Sequence, residues 1–234
     1  MLKLGLDLSL SSIRPQGVWS PDDEASLVAW YQKEVGITLN GSDVSAWADS
    51  SSNHYDMLQN TATEQPAYSG GVLTFIPDDN THLQTVAGVS GQISLTGDFT
   101  LGLRIYPQTS HTADLNGAFI GDNTTSHEYF KFANSSRISF KIAGSASNNL
   151  DLASGTFGDD YIVITRASDV LTLWHNGAAQ LASTATVAGT ALIDCIGVRR
   201  VDINDYEGTI SEIQIYSSSS GALTANVNDR LATL

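Results

Sequence analysis

The chain has a single cysteine, Cys195, in 234 residues. No intrachain disulfide can form, so packing and hydrogen bonds must hold the fold. Cys195 lies inside the apolar run 191–198 and reads as a small buried hydrophobe. Charge is scarce and one-sided. Only 15% of residues are charged, and 11 Lys and Arg face 25 Asp and Glu, for a formal net charge of -14. Arg199-Arg200 is the only adjacent basic pair. A phosphate-backbone partner needs a basic stripe, so nucleic acid is disfavoured as a ligand. No apolar run approaches the roughly 18 residues of a membrane-spanning helix, and no membrane insertion is expected. Asp7 interrupts the N-terminal apolar stretch, against a secretory signal, so folding in a cytoplasm is expected.

What is present is polar and turn-rich. Ser, Thr, Asn and Gly are abundant, while 41% of residues are hydrophobic, enough for a core. That mixture suits many short strands with polar outer faces. The stretch DYIVITRASDVLTLWHNGAAQ, residues 160–180, carries the strongest signal. Two β-branched alternating runs are followed by Asn176-Gly177, a pair that accepts the positive φ of a type I′ turn. Further strands are expected at residues 25–33, 44–48, 72–76, 82–86, 98–106, 117–121, 127–133, 137–143, 149–153, 191–198 and 208–216, with 82–86 pairing back on 72–76. Trp30, Trp47 and Trp174 are expected inside, each burial contributing on the order of 2–3 kcal/mol. Leu223, Val227 and Leu231 recur at four-residue spacing, which predicts one helix over 222–234 with Thr224 as its N-cap. The pattern predicts an all-β, antiparallel two-sheet jelly-roll sandwich with a short C-terminal helix.

Leu2, Leu4, Leu6, Leu8 and Leu10 alternate with Lys3, Gly5, Asp7 and Ser9, so all five leucines share one face of an extended strand. Residues 1–21, ending in a Pro- and Gly-containing loop, read as an extended assembly arm, the alternative being an ordinary strand of the chain's own sheet. Residues 22–234 read as one sandwich domain. The arm would add a strand to a neighbour's sheet edge.

The order LVAWYQKEVGI, VSAWADSSSNHYDMLQ, QPAYSGGVLTF, DFTLGLRIY, YIVITRASDVLTLWHNG and YEGTISEIQIY resembles the concanavalin A-like lectin/glucanase superfamily, in its laminin G-like branch. The resemblance covers residues 22–234 and implies the concanavalin A-like sandwich. It does not specify an activity, because such folds host many. Glycosidases of this fold carry a Glu-x-Asp-x-Glu strand. The nearest match here is 203–207, with Asp205 and Glu207 in place but Ile203 where the nucleophile would stand. The chain also has no G-x-S-x-G elbow, H-E-x-x-H pair or phosphate-binding glycine loop. No enzymatic activity is expected.

Two binding sites are expected instead. Asp202, Asn204, Asp205 and Glu207 form an oxygen-rich loop of the kind that holds Ca2+, the one cofactor the sequence raises. Tyr129 and Tyr206, flanked by Asn123, His127 and Asp205, could offer a carbohydrate an aromatic platform beside polar groups. Laminin G-like modules of this kind resemble those of bacteriophage virions. The resemblance implies a structural or adhesive virion protein of a tailed phage, a capsid decoration or tail component. Its expected partners are other virion proteins, itself as a homo-oligomer, and a host-surface glycan. The alternative is a free-standing carbohydrate-binding, lectin-like module.

Overall fold

The computed structural model describes residues 19–85, 91–108, 117–123, 128–199 and 205–234. The leucine arm, His127, Asp202 and Asn204 lie outside the described residues.

The architecture is the predicted antiparallel sandwich. In the back layer, Leu27–Tyr31, Gly208–Tyr216, Phe99–Pro107, Asp160–Ala167, Val170–His175 and Ala178–Thr186 pair in that order. In the front layer the order is Asn148–Asp151, Arg137–Lys141, Tyr129–Asn134, Ala118–Gly121, Cys195–Ile196, Leu83–Thr85, Met57–Leu58, Asp43–Trp47 and Ile37–Asn40. Alternation explains the layering: Phe130 and Phe132 of one strand, and Leu101 and Leu103 of another, turn inward to a shared core. Trp47 stands in this core, its ring 5.6 Å from Tyr31.

The centre of the back layer is buried on both faces, because the C-terminal helix Gly221–Leu231 packs on the outer side of Phe99–Pro107 and Asp160–Ala167. Leu223, Val227 and Leu231 meet Val163 and Tyr216 there, with Trp174 alongside. Trp174 is therefore not an inter-sheet residue, as expected, but part of the helix seam. Trp30 also belongs to this side: Arg230 stacks on its ring at 5.0 Å, and its indole N–H donates to Glu212 at 3.0 Å.

Local differences from the sequence reading have simple causes. The helix cap is Ser220, whose Oγ accepts from the Leu223 N–H at 3.1 Å. Thr224 lies inside the helix and donates its hydroxyl to the Ser220 carbonyl. Leu83–Thr85 pairs with Met57–Leu58 and Cys195–Ile196 rather than with Val72–Phe75, which instead pairs with Ala67–Ser69 and Gly208–Ile210 of the closing strand. A non-local partner thus displaces the hairpin that chain proximity favoured.

Candidate functional site

The strand Ala118–Gly121 sits at the middle of the front layer. Gly121 faces Tyr129 on one neighbour and Cys195 on the other. Because Phe130 and Phe132 point into the core, Tyr129 and Lys131 belong to the opposite face. The backbone at 198–199 crosses this face directly above Gly121. A Cβ there would stand 2.6 Å from the Arg199 Cα and 2.7 Å from the Val198 carbonyl. Only glycine permits that approach. The Cys195 thiol donates to the Val198 carbonyl at 2.9 Å and pins the same turn. Burial, reinforced by Asp194, pushes that thiol well above the usual range, so it is not a thiolate nucleophile.

The turn lays Arg199 over Tyr129. The guanidinium carbon is 4.7 Å from the ring centre, and Lys131 Nζ approaches the same ring to 5.4 Å. Two cations thus gather at one aromatic ring in a chain that carries only 11. Tyr129 is left 4% exposed. It cannot stack on a sugar, and it serves instead as a support beneath the cations. Desolvation, then the neighbouring Arg199 charge, holds the Lys131 ammonium below the usual lysine range. The Arg199 Nε is buried and meets no acceptor among the described residues. A buried donor left unmatched costs roughly 1–3 kcal/mol, so an incoming acceptor is favoured there.

Acidic and amide groups fix the adjoining loop. The Asn123 N–H donates to Asp194 at 2.6 Å, and its side-chain amide donates to Gln84 at 3.0 Å. Gln92 donates to Asp122 at 2.6 Å, and buried Glu128 accepts from the Leu192 N–H at 2.9 Å.

The structure gathers part of the expected constellation. Asn123 and Tyr129 fall at one end of the paired front strands. Asp205 bridges Ala118 in parallel, at the far end of the same strand. Tyr206 is a correction: it is 1% exposed, with its ring 5.8 Å from Phe75 and 6.2 Å from Phe132. A ring enclosed by the core has no face for a ligand. Among the described residues no three His, Cys, Asp or Glu side chains gather to hold a metal ion. Two of the four expected calcium ligands lie outside the described residues.

Neither family models nor curated proteins match the chain. Solved structures do. The binding domain of Paraclostridial Mosquitocidal Protein 1 aligns at TM-score 0.57 and 12% identity, over 92% of this chain and 53% of that one. Trypanosoma rangeli sialidase, in complex with a difluorinated nononic acid, aligns at 0.55 and 12%, over 89% and 32%. The binding domain of botulinum neurotoxin DC, in complex with SialylT, aligns at 0.54 and 10%, over 89% and 51%. The chain thus spans from about a third to about half of the length of those proteins. At such identities the likeness is one of fold.

Lys131 and Arg199 are the site residues that sequence reasoning missed. The signal for Arg199 was its scarcity, since it opens the only basic pair. Lys131 stands two residues from Tyr129, on the same strand face.

Proposed function

We propose that the protein is a non-enzymatic, glycan-binding module that recognises a carboxylated glycan at the Tyr129 rim. The observation that carries this reading is Arg199, stacked on Tyr129 with a buried N–H that lacks an acceptor among the described residues. A carboxylate and the hydroxyls of a sugar supply acceptors in the planar arrangement that a guanidinium matches. Lys131 adds a second positive charge beside it. The fold is one on which the binding domains named above are built, which is consistent with this use.

The resemblance in the sequence supports a setting on a larger particle, the virion of a tailed bacteriophage. There the module would decorate the shell or tail as a homo-oligomer and touch host-surface glycans. The expected arm supports the same setting. Detection of the protein in purified particles tests it, and absence from them favours the free-standing lectin-like module.

Glycan-array binding by the isolated protein tests the site. Acidic glycans should be retained by the wild type and weakened at least tenfold in Arg199→Ala and Lys131→Ala. Full binding in both variants would overturn the assignment.

A further inference from the structure

A concave feature lies on the opposite side of the molecule from the Tyr129 rim, beside the C-terminal helix. Its lining is Trp19, Asn226, Asp229, Arg230 and Thr233, around a volume of about 250 Å3. Three of these follow from helical spacing: 226, 229 and 230 share one helical face, while Leu223, Val227 and Leu231 face the sheet, and Thr233 stands in the turn just past the helix end.

The walls are built and held. Arg230 donates through Nε and Nη2 to the fully buried Glu212 at 2.6 and 3.0 Å, and lies over Trp30. Glu212 also accepts from Gln214 at 2.8 Å, and Gln214 accepts from the Tyr216 hydroxyl at 2.7 Å. Tyr216 in turn supports Trp19, with ring centres 6.5 Å apart. The network thus holds the guanidinium and backs the indole wall, which lowers the ordering cost of binding.

We infer that this pocket binds one neutral pyranose unit of a glycan, at a site separate from the Tyr129 rim. The size is below the roughly 300–1,000 Å3 of drug-sized pockets and suits a single ring. Trp19 gives an apolar wall for the C–H face of a sugar. Asp229 offers carboxylate acceptors, Asn226 a donor and an acceptor, and Arg230 keeps Nη1 for donation once Glu212 has taken its other two nitrogens. Charge selects the neutral class. Glu212 neutralises Arg230, so Asp229 leaves the pocket with negative charge that repels an acidic sugar.

The inference does not rest on the Tyr129 rim, and one experiment separates the two. Saturation-transfer NMR and calorimetry are run on the full chain with methyl glycosides of glucose, galactose, mannose and N-acetylglucosamine. A sialic acid methyl glycoside serves as the acidic control. At least one neutral glycoside should bind and perturb tryptophan emission. Asp229→Ala and Asn226→Ala, both on the solvent side of the helix, should weaken that binding at least tenfold, as should Trp19→Ala. Arg199→Ala should leave it unchanged. Binding of none of the four, or equal binding by Asp229→Ala, Asn226→Ala and wild type, would overturn the inference, whatever Trp19→Ala does.

Discussion

Glu212 is the residue on which the helix side depends. It is fully buried, and it accepts from Trp30, Gln214 and two nitrogens of Arg230. Removing one member of such a pair strands the other, at a cost of about 3–5 kcal/mol. Glu212→Ala should therefore lower unfolding free energy by about 3 kcal/mol in a urea melt, and an unchanged midpoint would contradict the network. Asp160 gives a prediction in pH. Burial opposes its ionisation, but bonds from Asn176, the Gly158 N–H and His175, with the His175 charge, outweigh burial and hold its carboxyl below the usual range. A depressed folded-state value stabilises above the unfolded one, about 3.9, and the stabilisation is lost as pH falls. The stability gap between wild type and Asp160→Asn should be widest above about pH 4 and should narrow toward pH 2. A gap that is constant across this range would refute the linkage. At this scale the sequence was legible only in part. Alternation assigns Tyr129 to the outer face but is silent on Arg199 lying above it. Tyr206 stands just before a strand, where no alternation assigns its face, and it went to the core.

Elements were the most legible level, because their signals are local. Asn176 and Gly177 take φ of 48° and 80°, and His175 pairs with Ala178, the geometry of the predicted type I′ turn. Gly177→Ala should destabilise by about 1 kcal/mol, read as a lower thermal midpoint, because an L side chain resists that φ. The loop DSSSN, part of the family resemblance, proves to be an edge cap. Asp49 accepts from the Trp30 N–H at 2.8 Å, while Ser51 and Asn53 donate to the Val28 carbonyl at 3.0 and 2.8 Å. These bonds cover backbone groups that the outer edge of Leu27–Tyr31 would otherwise expose. Ser220→Ala should cost about 1 kcal/mol through loss of the helix cap. Cap placement and strand partners were less legible. Ser217 to Ser220 offers four candidate caps in a row, and the partners of Leu83–Thr85 are set by packing across the sheet.

The whole molecule is two pleated layers, with a helix sealing one outer face and a cationic rim standing on the other. The layering follows from the alternation of apolar residues, and so it could be read in advance. The rim could not, because it depends on a chain crossing at Gly121 that joins residues 78 positions apart in sequence. That crossing makes Gly121 a positioning residue. Gly121→Ala keeps every charge yet displaces Arg199, so it should weaken acidic-glycan binding while Lys131 remains in place. The central claim is that Arg199 receives the ligand. The most direct measurement is a crystal structure of the protein with an acidic oligosaccharide chosen from the array. The account predicts a ligand carboxylate or hydroxyl oxygen about 3 Å from the Arg199 guanidinium, at the rim above Tyr129. A ligand seated elsewhere, with Arg199 untouched, would contradict it.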